Sequence, residues 1–344
     1  MTRLWTLLVF TAGIFLGCVS LKTAQCQTVD FPAPCVLPGD EVWLISARDD
    51  VSAGTCPSDS LQCQQYRDGF WQDSSWLAIS PSSPGDARET MVFIHGYNTN
   101  LHYAKKRGLQ VYQNLLATSA DRPPVRYVIW AWRSERELVR PVRDYVLKSQ
   151  RAVSLGSKFA WTLNVLGTKP AIILGYSLGV QVAVSALTHS PVYSGPPVQL
   201  AVIAAANDCR FAAGCDLQFR NSGRISRTLI IYNRRDRVIR TAGAVCKARY
   251  RQRFQFFEQI AQTRPCYFGQ VDIVDISDVA TKRHAIVSYT KLSPVQSSIQ
   301  GMLSCGPSSN LTLVDPSENR IDSPFLPGLL PDTTVPVVSP IPVP

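Results

Sequence analysis

Residues 171–179 constrain the fold of this chain more than any other segment. They read Ala-Ile-Ile-Leu-Gly-Tyr-Ser-Leu-Gly, an apolar run that ends in the pattern Gly-x-Ser-x-Gly, and small apolar residues follow at 180–187. This order is typical of a buried strand, a sharp turn and a helix, with the Ser177 hydroxyl presented by the turn. The segment therefore predicts a nucleophile elbow. An ordinary strand–turn–helix of an α/β domain is the alternative interpretation.

Apolar and helical segments alternate through the middle of the chain. The expected strands are 90–94, 126–132, 171–174, 200–206, 228–232 and 271–276, and the expected helices lie near 101–116, 142–166, 178–187 and 249–261. Such alternation is typical of a mostly parallel sheet that helices cover on both faces. We therefore predict one α/β domain over residues 89–303.

The flanking regions differ from this domain. Residues 1–20 hold Arg3 and then an apolar stretch, which predicts a signal peptide and export, to the periplasm or the exterior. Phe15-Leu-Gly-Cys18 also resembles a lipoprotein box, so membrane or envelope association through the N-terminus is open. Residues 21–88 are rich in cysteines and turns, with strands expected at 41–46 and 76–80, and should pack on the core. Residues 304–344 are proline-rich and predicted to be largely disordered.

The ten cysteines agree with export. Pairs that lie close in sequence are Cys56 with Cys63, Cys209 with Cys215, and Cys246 with Cys266. In an oxidising compartment such pairs predict disulfides. Zinc binding is the alternative, but the sequence has no C-x-x-C pair and no histidine near the cysteines, so we expect no metal site.

The chain is basic, with 35 Lys and Arg against 25 Asp and Glu and a formal charge of +10. Because no nucleic-acid motif accompanies this charge, it favours anionic ligands or surfaces over nucleic acid. Arg133, Arg136, Arg140 and Arg143 recur three or four residues apart after a strand end. They would form one stripe on a helix and bind an anionic substrate group, unless Pro141 breaks or begins that helix. A solvated charged face is the alternative.

A serine nucleophile needs a histidine base, and the chain has four histidines. His95 and His102 precede the serine, whereas the base follows it in chains with this elbow. His189 is too near to the elbow in sequence to return to it. His284 follows the last expected strand across a polar loop, so we predict that it is the base.

The base needs a carboxylate partner that lies between Ser177 and His284 in the chain. Asp236 follows the strand at 228–232 and is the favoured acid. Asp208, after the strand at 200–206, is the alternative.

Two backbone N–H groups should bind the developing oxyanion. One is expected from Leu178, the residue after the nucleophile, and the other from Tyr97, in the loop after the strand at 90–94. Gly96 allows the backbone to approach a substrate there. His95 is expected to orient this loop and not to act in catalysis.

Further motifs surround the elbow: Phe93-Ile-His-Gly-Tyr-Asn98, Ala104 with Arg107, Trp130-Ala-Trp132 and Asp144-Tyr145. In their order and spacing, over about residues 88–290, the chain resembles the alpha/beta hydrolases grouped as a domain of unknown function, DUF900. The chain has Tyr176 where that group has histidine, and Trp132-Arg133-Ser134 where it has Trp-Pro-Ser. The resemblance implies the alpha/beta-hydrolase fold and serine-hydrolase chemistry without a cofactor, and it names no substrate.

The sequence therefore predicts an exported serine hydrolase that cleaves small or lipid-like acyl esters through an acyl-enzyme. Transfer of the acyl group to an alcohol or sugar would use the same residues. A non-catalytic, envelope-associated binding module on the same scaffold is the competing class of function.

Overall fold

The computed structural model describes residues 35–48, 61–80, 88–118, 122–167, 171–188, 190, 192–205, 223–241 and 270–304. The strands in these ranges are β1 (Glu41–Ala47), β2 (Gln62–Arg67), β3 (Phe70–Ser74), β4 (Glu89–Ile94), β5 (Val125–Trp132), β6 (Ala171–Tyr176), β7 (Val198–Ile203), β8 (Ile225–Tyr232) and β9 (Gln270–Asp275). The helices with both ends in these ranges are α1 (Trp76–Ile79), α2 (Leu101–Leu115), α3 (Pro141–Ser154), α4 (Gly156–Val165), α5 (Gly179–Thr188), α6 (Ile286–Thr290) and α7 (Ser293–Ser304).

The nine strands form one sheet in the order β3-β2-β1-β5-β4-β6-β7-β8-β9. β2 is antiparallel to both of its neighbours, and every other neighbouring pair is parallel. All six strands expected between residues 89 and 303 are present. The predicted fold class, a mostly parallel sheet with helices, is confirmed.

The core lies on both faces of the sheet. β5 is buried along its whole length, and its side chains alternate between two apolar clusters. Val128, Trp130 and Trp132 join one cluster, and Tyr127, Ile129 and Ala131 join the other. A strand buried on both faces carries apolar residues at consecutive positions, which is why its sequence is continuously hydrophobic.

The helix expected at 142–166 is two helices, α3 and α4, joined at Leu155. A Cβ atom on Gly156 would lie 2.5 Å from the Ser185 hydroxyl of α5, so glycine is required for this close approach. The same hydroxyl donates to the Val153 carbonyl at 2.7 Å. α3 therefore ends where the chain meets Ser185 of α5. The sequence around residue 155 does not indicate this contact, because Ser185 is 30 residues away.

The strand expected at 76–80 is wrong, because Trp76–Ile79 is helical. Trp76 packs edge-on against Trp161, with 5.0 Å between ring centroids, and Ile79 is fully buried. Leu77 is 88% exposed. Two inward-facing apolar residues spaced by three, Trp76 and Ile79, are a helical pattern, which a run of only four residues does not make evident.

Three strands come from the region expected to be a cysteine-rich extension. β1 lies between β2 and β5 and is almost completely buried. β2 and β3 carry many polar residues at the sheet edge, which is why no strand was expected there. Cys35 and Cys63 are free cysteines, so the expected Cys56–Cys63 pair is not formed. The other eight cysteines lie outside the described residues, and disulfides among them stay a prediction.

Several other expectations fall outside the described ranges. They concern the signal segment at 1–20, the helix at 249–261, Asp208, His189 and the tail from residue 305. Among the helices that are described, none combines the length and the apolar character needed to cross a membrane.

Candidate active site

Ser177 lies in the sharp turn between β6 and α5. β6 ends at Tyr176 and α5 begins at Gly179, so the reversal takes two residues. Ser177 has φ of 53°, a left-handed conformation that costs energy for a residue with a side chain. Its N–H donates to the Ile203 carbonyl of β7 at 3.0 Å, which holds the strained turn in place.

The two motif glycines are required by close packing around this turn. A Cβ atom on Gly179 would lie 2.3 Å from the Ile94 carbonyl oxygen at the end of β4. A Cβ atom on Gly175 would lie 2.9 Å from the Val180 Cα atom. Both distances are shorter than any side chain tolerates, so the pattern Gly-x-Ser-x-Gly has a steric cause here.

His284 and Asp236 are in direct contact. The Nδ1 atom of His284 lies 2.7 Å from the Oδ2 atom of Asp236. Asp236 is fully buried, and its Oδ1 atom accepts hydrogen bonds from the backbone N–H groups of Val238 at 2.8 Å and Ile239 at 3.2 Å. Asp236 thereby caps the helical turn that begins at residue 237.

The surroundings of Asp236 keep it ionised. Burial by itself raises the pKa of this carboxyl, but the hydrogen bond and charge of His284 and the hydroxyl of Tyr289 hold its pKa below the ordinary value. A carboxylate in this state fixes the imidazole tautomer with the proton on Nδ1. The Nε2 atom of His284 is then the proton acceptor.

The imidazole of His284 lies beside the elbow. Its ring stacks on Tyr176, the residue before Ser177, with 5.0 Å between ring centroids and 27° between planes. The Nε2 atom is buried and has no hydrogen-bond partner among the described residues. No hydrogen bond between Nε2 and the Ser177 hydroxyl is formed, and contacts between a base and its nucleophile are often loose before substrate binds.

The other candidate partners are engaged elsewhere or lie outside the described residues. Asp208 and His189 belong to the undescribed part of the chain. Asp275 accepts hydrogen bonds from the Ser277 N–H and the Tyr232 hydroxyl, both at 2.9 Å. Of the expected acids, Asp236 is the one whose contact with His284 is described.

His95 is buried within the loop after β4. Its Nε2 atom accepts the Trp132 N–H at 3.2 Å, so its proton lies on Nδ1, which donates to the Gly96 carbonyl at 3.0 Å. Burial lowers the pKa of His95 to about 3, and the imidazole is therefore neutral. These contacts agree with a role in shaping the loop.

The loop after β4 also contacts the nucleophile. A Cβ atom on Gly96 would lie 2.7 Å from the Cβ atom of Ser177, so the Gly96 backbone lies against the serine. Within the described residues, neither the Tyr97 nor the Leu178 amide N–H donates to another backbone group. Oxyanion holes are built from backbone N–H groups of this kind.

The side chain of Tyr97 has a partner that the sequence did not indicate. Its hydroxyl donates to the Oδ2 atom of Asp144 at 2.6 Å, and the Oδ1 atom of the buried Asp144 accepts the N–H groups of Glu137 and Leu138 at 2.9 and 2.8 Å. These bonds connect α3 and the loop before it to the loop after β4. The sequence singled out Asp144 as part of the motif Asp144-Tyr145, but it did not indicate that Tyr97 is its partner.

The four arginines do not share one helix, because α3 begins at Pro141. Arg133 pairs with Glu137 at 3.1 Å, and the Arg136 guanidinium donates to the Leu138 carbonyl at 3.0 Å. Arg140 and Arg143 line a groove of about 440 Å³ together with Val142 and Val146. The first two arginines are thus engaged within the loop, and the second two face the groove.

The described residues contain no group of three or more His, Cys, Asp or Glu side chains that could hold a metal ion. A serine in a strained turn and a histidine paired with a buried carboxylate are the residue types that acyl transfer through a serine requires.

Comparison with known proteins agrees with the fold. A family model described as an alpha/beta hydrolase of unknown function, DUF900, matches residues 77–284, which is more than half of the chain. The matched segment begins at α1 and ends at His284. No curated protein matches the sequence. The chain belongs to the alpha/beta hydrolases of the DUF900 family.

Proposed function

We propose that this protein is a serine hydrolase that cleaves carboxylic esters through an acyl-enzyme. The observation that carries the proposal is the 2.7 Å contact between His284 and Asp236. The imidazole of this pair stacks on Tyr176, the residue before the strained Ser177. The family assignment supports a hydrolase scaffold. The ester bond is the proposed target because no peptide-binding signature accompanies the site.

In the first half of the reaction, the Nε2 atom of His284 takes the proton of the Ser177 hydroxyl as its oxygen attacks the substrate carbonyl. The tetrahedral oxyanion is bound by the N–H groups of Tyr97 and Leu178. The intermediate then collapses, and the ester carbon–oxygen bond breaks. The imidazolium returns its proton to the departing alcohol, which leaves Ser177 acylated.

In the second half, water replaces the alcohol. His284 accepts a proton from the water as it attacks the acyl carbonyl, and the same amides bind the second oxyanion. Collapse releases the carboxylic acid and returns the proton to Ser177. An alcohol or sugar in place of water would give acyl transfer, and analysis of the products distinguishes the two reactions.

The proposed substrate carries an anionic group, which would bind in the groove at the start of α3. Arg140 and Arg143 have no ion pair within the described residues, and Val142 and Val146 supply apolar surface beside them. Asp144 of the same helix binds Tyr97 of the oxyanion loop. An acyl ester with a carboxylate or phosphate would match this combination of charge and apolar surface.

Export is proposed from residues 1–20, with Arg3 and the apolar stretch that follows as its basis. The N-terminal residue of the mature protein, determined by mass spectrometry, tests it. A new N-terminus near residue 20 supports cleavage, lipidated Cys18 supports anchoring, and an intact Met1 in a soluble fraction contradicts both.

The hydrolase proposal is tested with a fluorophosphonate probe, which forms a covalent bond with an activated serine. We expect labelling of the wild type and of Ser298→Ala, and none of Ser177→Ala. Ser298 is a matched control because it lies on α7, where its hydroxyl donates to the Pro294 carbonyl at 2.7 Å. Equal labelling of Ser177→Ala and wild type contradicts the assignment. No labelling of a folded wild type supports the binding-module alternative. Esters of increasing acyl length then define the substrate.

A further inference from the structure

Tyr289 contacts the acid of the proposed triad. Its hydroxyl donates to the Oδ2 atom of Asp236, the same oxygen that binds Nδ1 of His284. Tyr289 lies in α6, and only 1% of its surface is exposed. Water therefore does not compete for this hydrogen bond.

The hydroxyl of Tyr289 is a donor throughout the neutral range. Burial raises its pKa above the ordinary value, and the adjacent Asp236 carboxylate raises it further. Asp236 in turn accepts two backbone N–H groups on Oδ1, from Val238 and Ile239, and two side-chain donors on Oδ2. With four donors, the carboxylate has a partner for essentially all of its lone pairs and a fixed orientation.

We propose that Tyr289 is a positioning residue that holds the Asp236 carboxylate in the orientation His284 requires. The inference rests on the proposed hydrolase function and adds a fourth side chain to its machinery. The backbone N–H groups hold one oxygen of Asp236, and Tyr289 holds the oxygen that faces the imidazole. Without the hydroxyl, that oxygen keeps His284 as its one side-chain donor, and the carboxylate gains freedom to rotate.

The hydroxyl also determines how much negative charge the imidazole experiences. A donor on Oδ2 draws part of the carboxylate charge away from His284. Its removal leaves more charge to stabilise the protonated imidazole, which is the inactive form of the base. We therefore expect the acid limb of the pH profile to move to higher pH in a variant without this hydroxyl.

Tyr289→Phe tests the proposal, because phenylalanine keeps the ring that packs in the apolar cluster of this sheet face. We expect kcat to fall roughly 10- to 100-fold, the range of a hydrogen bond to a charged group, with KM nearly unchanged. Tyr232→Phe is the matched control, because the Tyr232 hydroxyl also donates to a carboxylate, that of Asp275 at 2.9 Å. It should leave kcat and the pH profile unchanged.

A second measurement does not depend on activity. The Nδ1 proton of His284 should give a low-field NMR signal, identified by its absence in His284→Asn. In Tyr289→Phe this signal should shift or broaden, and in Tyr232→Phe it should not. An unchanged signal in Tyr289→Phe overturns the inference, as does a wild-type kcat together with a wild-type pH profile. Failure of Ser177-dependent labelling in the wild type would instead contradict the proposed function, and the NMR signal would still decide the role of Tyr289.

Discussion

The Nδ1 atom of His284 lies 2.7 Å from the Oδ2 atom of Asp236, although 48 residues separate the two in the chain. β8 and β9 are parallel neighbours, and Tyr232 at the end of one pairs with Asp275 at the end of the other. Both strands therefore release their following loops at the same edge of the sheet. Ser177 follows β6 at that edge, which is where ligands bind in open parallel sheets.

Asp236→Asn should lower kcat/KM roughly 10³- to 10⁴-fold, because an amide no longer fixes the imidazole tautomer or stabilises its protonated form. Asp275→Asn is the control, since Asp275 contacts Tyr232 and Ser277 instead. Steady-state hydrolysis of a chromogenic ester measures both. If Asp275→Asn is the more damaging change, the acid has been assigned to the wrong residue.

Gly96→Ala should impair activity by displacing the oxyanion loop. The added Cβ atom would lie 2.7 Å from the Ser177 Cβ atom and 3.1 Å from the Tyr176 carbonyl oxygen. We expect a loss of about 100-fold in kcat, because misplacement of about 1 Å has this effect. The unfolding free energy should fall by about 1–3 kcal/mol.

Gly301→Ala is the matched control for this change. Gly301 lies inside α7, and an added Cβ atom there meets nothing within 4 Å. It should keep full activity and gain about 0.5–1 kcal/mol, since alanine favours a helix over glycine. Full activity in Gly96→Ala, measured alongside, would rule out the proposed oxyanion loop.

Glu137→Gln should destabilise the fold by roughly 2 kcal/mol at pH 7. Glu137 pairs at 2.6 Å with the ammonium of Lys148, which is fully buried and would lose its counter-charge. Arg133→Gln, which affects the exposed partner of the same carboxylate, should cost less than about 1 kcal/mol. Urea unfolding compares them, and equal losses would contradict the argument from burial.

The contribution of Glu137 should also depend on pH. Hydrogen bonds from Arg151 and Lys148 lower the pKa of this carboxyl from 4.5 to about 2. Because the folded-state pKa is depressed, the stabilisation is fully present above pH 4.5 and is lost as the pH falls towards 2. In Glu137→Gln this part of the pH dependence should vanish. A variant with the wild-type slope between pH 4.5 and 2 would show that the carboxylate is not responsible.

Removal of the two groove arginines should affect anionic substrates alone. In the double variant Arg140→Gln and Arg143→Gln, KM for an ester with a carboxylate or phosphate should rise about 10-fold or more, since charged hydrogen bonds are lost. KM for a neutral ester of the same length should stay unchanged. Equal effects on both esters would indicate that the arginines form a solvated surface.

The apolar strand sequences allowed the sheet to be predicted, since runs such as Val125–Trp132 are buried on both faces and carry no competing pattern. β2 was not predicted, because its Gln-Cys-Gln-Gln-Tyr-Arg sequence is mostly polar although the strand lies between β3 and β1. The break between α3 and α4 was also missed, because it depends on contact between Gly156 and Ser185 of another helix.

For the site, the sequence pointed to Ser177 through its glycine pattern. It pointed to Asp236 through its position after a strand, and to His284 because only four histidines were available. Asp144 and Tyr289 could not be found in this way. Asp144 was noted only as part of a motif and Tyr289 not at all, because the role of each depends on a hydrogen bond to a distant loop or strand end.

The sequence by itself determined the alternation of strands and helices and the elbow at Ser177, since hydrophobic periodicity and glycine sterics act within a few residues of the chain. Only the tertiary structure decided which carboxylate lies against His284, which loop packs on Ser177, and which arginines face the groove. Those relationships depend on the order of strands in the sheet and on burial. Both arise from contacts between residues far apart in the chain, which no local pattern records.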